Sequence, residues 1–123
     1  MCKVLMSINP EHVDNIMSGK KVFEFIKVKC KRKIDSIVIY STAPVMKIVG
    51  EVEVVGLIED TPDVVWEKTC IGAGINKEFF DLYYNNKKTA FAYCLGIVNY
   101  FKKPLSLSDY GLKNAPQSFV YLN

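Results

Sequence analysis

The chain has 123 residues, of which 50% are apolar and 24% charged, and its formal net charge is +3. That mix excludes a disordered chain, and the length suits a single domain over 1–123 with a real hydrophobic core. No apolar run reaches the roughly 20 residues of a membrane span. Met1-Cys2-Lys3-Val4-Leu5-Met6 meets polar Ser7 and Asn9 too soon for a signal peptide, so no membrane partner and a cytoplasmic location are expected.

In chain order, Lys3 to Ile8 reads as a short strand. Asn9-Pro10-Glu11 opens a helix, with Asn9 as cap and Pro10 in the first turn, where its missing N–H costs nothing. Val13, Ile16 and Met17 recur at helical spacing, and Gly19 stands where a C-terminal cap belongs. Lys21 to Val28 alternates with aromatic and β-branched residues, which predicts a strand. Further strands are predicted over about Ile34–Ser41 and Val45–Glu59, the second bent at Gly50 and Gly56. Thr61-Pro62-Asp63 opens a helix to about Lys68, and Ile71 to Ile75 is a flexible loop. Asn76 caps a helix to about Tyr84, and Asn85 to Lys88 is a turn. Thr89–Phe101 is a strand, Leu105–Tyr110 a helical turn and Ser118–Leu122 a last strand. Short strands with helical insertions and no βαβ alternation predict an α+β fold, a closed or half-closed mixed barrel of five to six strands.

Few motifs carry chemistry outright. Cys2, Cys30, Cys70 and Cys94 are far apart with no Cys-x-x-Cys pair, so they read as free, mostly buried thiols, and no metal is expected. His12 reads as a helix-face residue, with no nucleophile in a motif beside it. Gly72-Ala73-Gly74 follows a helix and is no dinucleotide fingerprint, and no cofactor is expected. Charge is polarised. Lys20, Lys21, Lys27, Lys29, Lys31, Arg32 and Lys33 face one acid, Glu24, whereas Glu51 to Glu67 holds acids and no cation. A phosphate-bearing partner is expected at the early segment, although Lys29 to Lys33 equally suits a solvated edge that discourages aggregation.

Ser7-Ile8-Asn9-Pro10-Glu11, followed by Ile16-Met17-Ser18-Gly19-Lys20-Lys21-Val22-Phe23-Glu24, resembles the opening of ASCH-family domains. These are PUA-like barrels with a pattern of Gly, any residue, Lys, two residues, Glu, one residue, Arg. Gly19, Lys21 and Glu24 match it, and Ile26 stands where the family has Arg. Ile39 to Pro44, Val45 to Val55, Asn76 to Phe80, Tyr93 and Ala115 to Phe119 continue the resemblance over nearly the whole chain. It implies an RNA-binding or nucleoside-recognising module of the kind that regulates transcription or translation, one that needs no cofactor; the oligomeric state stays open.

On that reading the ligand residues are Gly19, Lys20, Lys21, Glu24, Lys27, Tyr40, Ser41, Thr42, Lys47, Gln117 and Ser118. Glu24 accepts from a base edge, Lys21 holds a phosphate or carbonyl oxygen, and Tyr40, Tyr93 and Tyr121 are candidates to stack on bases. Phe23, Phe25, Phe79, Phe80 and Phe91 are expected in the core. Without the family's Arg, Ile26→Arg is expected to strengthen binding. An enzyme is the alternative, since some ASCH proteins resemble amidohydrolases of acylated cytidines or ribonucleases; Lys21 and Glu24 would then be catalytic. Against it, Glu24 occupies the hydroxyl position of the amidohydrolase pattern, Gly72-Ala73-Gly74 lacks its distant carboxylate, and Glu24 is expected to hold Lys21 charged. A protein-interaction module using the acidic Glu51–Glu67 surface is the third reading.

Overall fold

The computed structural model describes residues Cys2 to Leu122. Along the chain run β1 (Lys3–Ile8), α1 (Pro10–Met17), β2 (Phe23–Ile26), β3 (Ser36–Ser41), β4 (Lys47–Asp60), α2 (Pro62–Thr69), α3 (Lys77–Tyr83), β5 (Ala90–Leu105) and β6 (Phe119–Leu122), with 3-10 turns at Cys70–Gly72 and Leu107–Tyr110. The strands form one sheet in the order β2-β5-β4-β3-β1-β6. Among the described residues, only β1 and β3 are parallel; every other neighbouring pair is antiparallel. The sheet curls into a half-barrel, the mixed barrel expected from the sequence. The segment after β2 leans towards β6, where the Lys31 N–H donates to the Tyr121 hydroxyl at 2.8 Å.

Local chemistry accounts for most boundaries. The Asn9 side chain accepts from the Glu11 N–H at 3.0 Å, and that of Asn76 from the Phe79 N–H at 2.8 Å, so both helices start where capping residues were read. Thr61 makes no side-chain cap. Gly19 adopts a left-handed φ of +83° just after α1, a conformation an L side chain resists. The long ribbon of β4 and β5 shifts register beside Gly50 and Gly56, the two bends read from sequence. A Cβ at Gly50 would lie 2.7 Å from the Asn99 carbonyl oxygen and from the Met17 methyl.

The predicted strand over Lys21–Val28 shrinks to four residues, because the Lys21 and Val22 N–H groups donate to the carbonyls of Asn15 and Gly72 rather than to a strand. β5 runs four residues past Phe101, with Lys102, Lys103 and Pro104 near its end, residues that suit a strand with an open edge. Among the cysteines Cys30 alone is buried, and Cys70 is exposed, against the expectation that most are buried.

The core has three parts. Val4, Met6, Ile8, Ile37, Ile39, Val52 and Tyr93 fill the concave side of the sheet, closed by Val13 and Ile16 of α1. The opposite faces of β1 and β3, Leu5, Val38 and Tyr40, are also buried, against Ile48 and the turn at Leu107–Tyr110. Burial on both faces explains why these strands read as continuous apolar runs. A third cluster packs Phe80 and Tyr84 of the α3 region and Val65 of α2 onto Phe25, Ala90 and Ala92. Within it the Tyr84 hydroxyl donates to the Ile26 carbonyl at 2.8 Å. Tyr84→Phe orphans that carbonyl and is expected to lower stability by about 1–3 kcal/mol in urea unfolding. An unchanged midpoint would show that the bond contributes nothing net.

Candidate functional site

Three non-adjacent pieces of chain build the site. Gly19 turns the chain back along α1, so that the Lys21 N–H donates to the Asn15 carbonyl at 2.9 Å. The 72–74 loop covers the other side, where the Val22 N–H donates to the Gly72 carbonyl at 2.9 Å. Lys21 is thereby held between helix and loop with only 2% of its surface exposed. Its ammonium donates to the Ala73 carbonyl at 2.9 Å and lies 4.6 Å above the Phe25 ring centre. Glu24, the second residue of β2, brings a carboxylate oxygen to 3.9 Å from that ammonium. At this distance the two do not hydrogen-bond directly, so each keeps bonding capacity for a third group.

Both groups open onto a pocket of about 130 Å³ between β1, α1, β2 and α3. Phe25, Ile75, Phe79 and Tyr83 form apolar walls, while Ser7, Asn9 and His12 complete the rim. The volume is below the roughly 300–1,000 Å³ of drug-sized sites, which suits one small ring rather than a whole nucleotide. Burial pushes the Glu24 carboxyl up to about 7, with the Lys21 charge pulling it back. Burial likewise pushes the Lys21 ammonium down, more strongly than Glu24 raises it. Glu24 favours the charged ammonium, as the sequence led us to expect, while desolvation of the cation lowers its pKa by more than its partner raises it. His12 is lowered by burial first and by the Lys21 charge second. Its Nδ1 is buried with no hydrogen-bond partner, and its ring meets Phe79 edge-on at 5.4 Å. An orphan ring nitrogen and a perturbed Lys–Glu pair thus share one concavity.

The structure distributes the other sequence-read residues widely. Lys27 stands beside the pocket, its ammonium 4.6 Å over the Tyr83 ring, and Lys20 is exposed next to Lys21. Gly19 lies outside the lining, exposed at the end of α1. Gln117 and Ser118 are exposed too, yet their segment runs beside the rim: Ser7 donates from its Oγ to the Pro116 carbonyl and from its N–H to the Ser118 carbonyl. Ser41 is buried in a separate hollow under α1, Thr42 lies in the turn after β3, and exposed Lys47 starts β4. Tyr40 and Tyr93 are core residues, 5% and 3% exposed, so neither ring stacks on a ligand. Ile26 is buried in the main core, so Ile26→Arg inserts a charge there instead of strengthening binding. The acidic run is partly spent internally, Glu51 on Lys3 and Ser36 and Glu59 on Lys29.

Sequence reasoning missed His12, Ser7, Asn9 and Tyr83, and assigned Phe25 and Phe79 only to packing. Phe79 is 46% exposed, one wall of the pocket. One signal was available: Phe79 and Tyr83, four residues apart, put two rings on one face of α3.

A mixed half-barrel with a buried Lys–Glu pair at the mouth of one pocket defines the structural class, and comparison with known proteins narrows it. No protein-family model matches the chain. The structure superposes on ASCH from Zymomonas mobilis with a TM-score of 0.89, covering 98% of this chain and 87% of that one at 23% identity. The N-terminal domain of Staphylothermus marinus McrB is more distant, with a TM-score of 0.53 over 87% of this chain and 77% of that one, at 13% identity. The fold is that of the ASCH domain. In sequence the chain is 27% identical over 121 residues to the ATP synthase subunit alpha of Ureaplasma parvum serovar 3, covering 97% of this chain. It is 26% identical over 120 residues to the large ribosomal subunit protein uL22 of the same species, again covering 97% of this chain. It spans 15% of the first relative's length and 39% of the second's. No helix among the described residues is long and apolar enough to cross a membrane.

Proposed function

We propose that this chain is a recognition module for a nucleobase, carried on single-stranded RNA or presented as a nucleoside, with the base edge read by Glu24 and Lys21. The carrying observation is the pair itself: a buried ammonium and a partly buried carboxyl, 3.9 Å apart and not bonded to each other, opening between aromatic walls. A cation that only donates beside a carboxyl that accepts, or donates when protonated, matches the alternating donors and acceptors of a base edge. Phe79 and Tyr83 supply ring surface for its faces. Lys20 and Lys27, and more remotely Lys47, hold the phosphate chain. Free cysteines suit a reducing, cytosolic setting. The ASCH fold is compatible with this reading but does not dictate it, because function resides in the site.

The test is anisotropy with labelled short RNAs at several salt concentrations. Lys21→Ala is expected to weaken binding to every sequence with little change in the log–log salt slope, because it removes a base contact, whereas Lys27→Ala is expected to flatten that slope by about 0.7, the loss of one phosphate contact on a single strand. Glu24→Gln is expected to change preference among bases more than overall affinity, because it alters donor and acceptor capacity at constant shape. Affinity indifferent to salt and to Lys21→Ala sinks the reading.

One observation favours hydrolysis as a second reading. Burial shifts Lys21 towards the neutral amine, the form a general base needs. Turnover of N4-acetylcytidine that disappears in Lys21→Met would establish it.

A further inference from the structure

Outside the pocket, the most densely basic stretch of the chain forms a second concavity. The loop between β2 and β3 folds over the register shift near Gly56, enclosing a hollow of about 490 Å³. Lys29, Lys31, Arg32 and Lys33 roof it, and Val55 and Leu57 of β4 form part of its floor. Those two floor residues stay 63% and 40% exposed. The loop is pinned at its centre: the Cys30 N–H donates to the Tyr93 hydroxyl at 3.0 Å and the Lys31 N–H to the Tyr121 hydroxyl at 2.8 Å. The Arg32 guanidinium lies 4.4 Å from the Tyr121 ring centre. Two acids belong to the neighbourhood: Glu59 pairs with the roof residue Lys29 at 2.7 Å, and Asp35, which lines the hollow, accepts from the Cys2 N–H at 2.7 Å. Among the described residues, Lys31, Arg32 and Lys33 make no salt bridge.

We propose that this hollow is a second nucleotide site, which takes a phosphate and base of the same RNA strand that places its first base against Glu24. The inference rests on the proposed function. A solvated edge that merely discourages aggregation needs no pinning; here the loop backbone is fixed at Cys30 and Lys31 and Arg32 lies over Tyr121, which keeps the exposed cations beside an uncovered apolar floor. An anion with a flat, weakly polar body satisfies both features, and arginine planes stack on bases. The volume lies within the roughly 300–1,000 Å³ of small-ligand sites. Fixing the cations before binding lowers the ordering cost of each phosphate contact. The path is continuous: Lys27 stands over Tyr83 at the first pocket, and Lys29 follows two residues later at the second. At most about 17 Å of chain separates Glu24 from Lys29, more than one nucleotide covers but within reach of a short oligomer.

The experiment measures anisotropy of labelled single-stranded RNAs of one, four and eight nucleotides against the full chain and two variants. Wild type is expected to bind the tetramer and octamer at least tenfold more tightly than the mononucleotide. Lys31→Gln/Arg32→Gln/Lys33→Gln is expected to remove that gain and lower the octamer salt slope by about 0.7, for the one phosphate the hollow takes. Its urea-unfolding midpoint should match that of wild type, which shows that the variant is folded. Lys21→Ala should instead weaken every length. Octamer binding by the triple variant with wild-type affinity and slope overturns the inference, as does displacement of octamer by polyglutamate as readily as by unlabelled RNA. If Lys21→Ala changes nothing while the triple variant loses the octamer, the base-pocket reading falls and the basic hollow stands as the RNA site. No RNA binding at any length overturns both.

Discussion

Gly74→Ala is expected to destabilise the protein by about 2–4 kcal/mol and to disable the Lys21 site, although it adds one methyl group to a loop. Gly74 adopts a φ of +68°, where an L side chain is strained. An added Cβ would also lie 2.5 Å from the Lys21 Cβ, 2.8 Å from its Cγ and 3.1 Å from its Cα. Lys21 has nowhere to retreat, since its N–H is bonded to Asn15 and its ammonium to Ala73. Overpacking of this kind costs about 1–3 kcal/mol beyond backbone strain. Gly111→Ala is the control: its φ is +74°, but nothing lies within 4 Å of the added Cβ, so strain of about 1 kcal/mol acts alone. Urea unfolding of both variants separates the two effects. Equal midpoints would show that Gly74 does not support Lys21. The same contact gives a steric reason for the missing distant carboxylate, because Gly74→Glu drives its own Cβ into the same lysine.

The second large effect is a pH dependence centred on Glu24. Burial pushes its carboxyl up to about 7 in the folded chain, from the 4.5 of an exposed glutamate, because it disfavours the charged form more than Lys21 favours it. Between those values the folded state binds more protons than the unfolded one, so this group's contribution is fully present below about pH 4.5 and lost as pH rises through 7. His12 acts in the opposite sense: its lowered value makes stability rise with pH up to about 6.5. The Lys21 contribution, also from a lowered value, returns only towards 10.5, on the alkaline side. Comparison with Glu24→Gln isolates the carboxyl. Between pH 5 and pH 8 the balance of stability should shift towards Glu24→Gln by about 1–3 kcal/mol, at 1.36 kcal/mol per unit. Parallel stability curves for the two proteins would mean that Glu24 ionises as an ordinary surface carboxylate.

Fold and site were unequally legible in the sequence. Asn9, Pro10 and Gly19 bracket α1 correctly because capping and left-handed turns depend on one or two residues and their own backbone. Gly50 and Gly56 mark the bends of β4 for the same reason. Lys21 and Glu24 were singled out as a pair from a motif three residues apart, and they do face one pocket. The rest of that pocket was not readable. Phe79 sits 55 residues beyond Glu24 and looks like any core aromatic, and Tyr40 looks like any exposed strand tyrosine, yet Phe79 lines the pocket and Tyr40 is buried.

By itself, then, the sequence determined the element order, the helix starts, the bends of the long ribbon and the sign of charge on each segment, all of which depend on neighbours within a few residues. Only the tertiary structure decided which groups lose water and which meet. The Ala73 carbonyl that holds Lys21 comes from 52 residues away, and the tyrosine hydroxyls that pin the basic loop come from 63 and 90 residues away. Desolvation is a sum over such distant contacts, so the same Lys-x-x-Glu spacing gives a solvated ion pair in one fold and here a buried pair pressed towards neutrality.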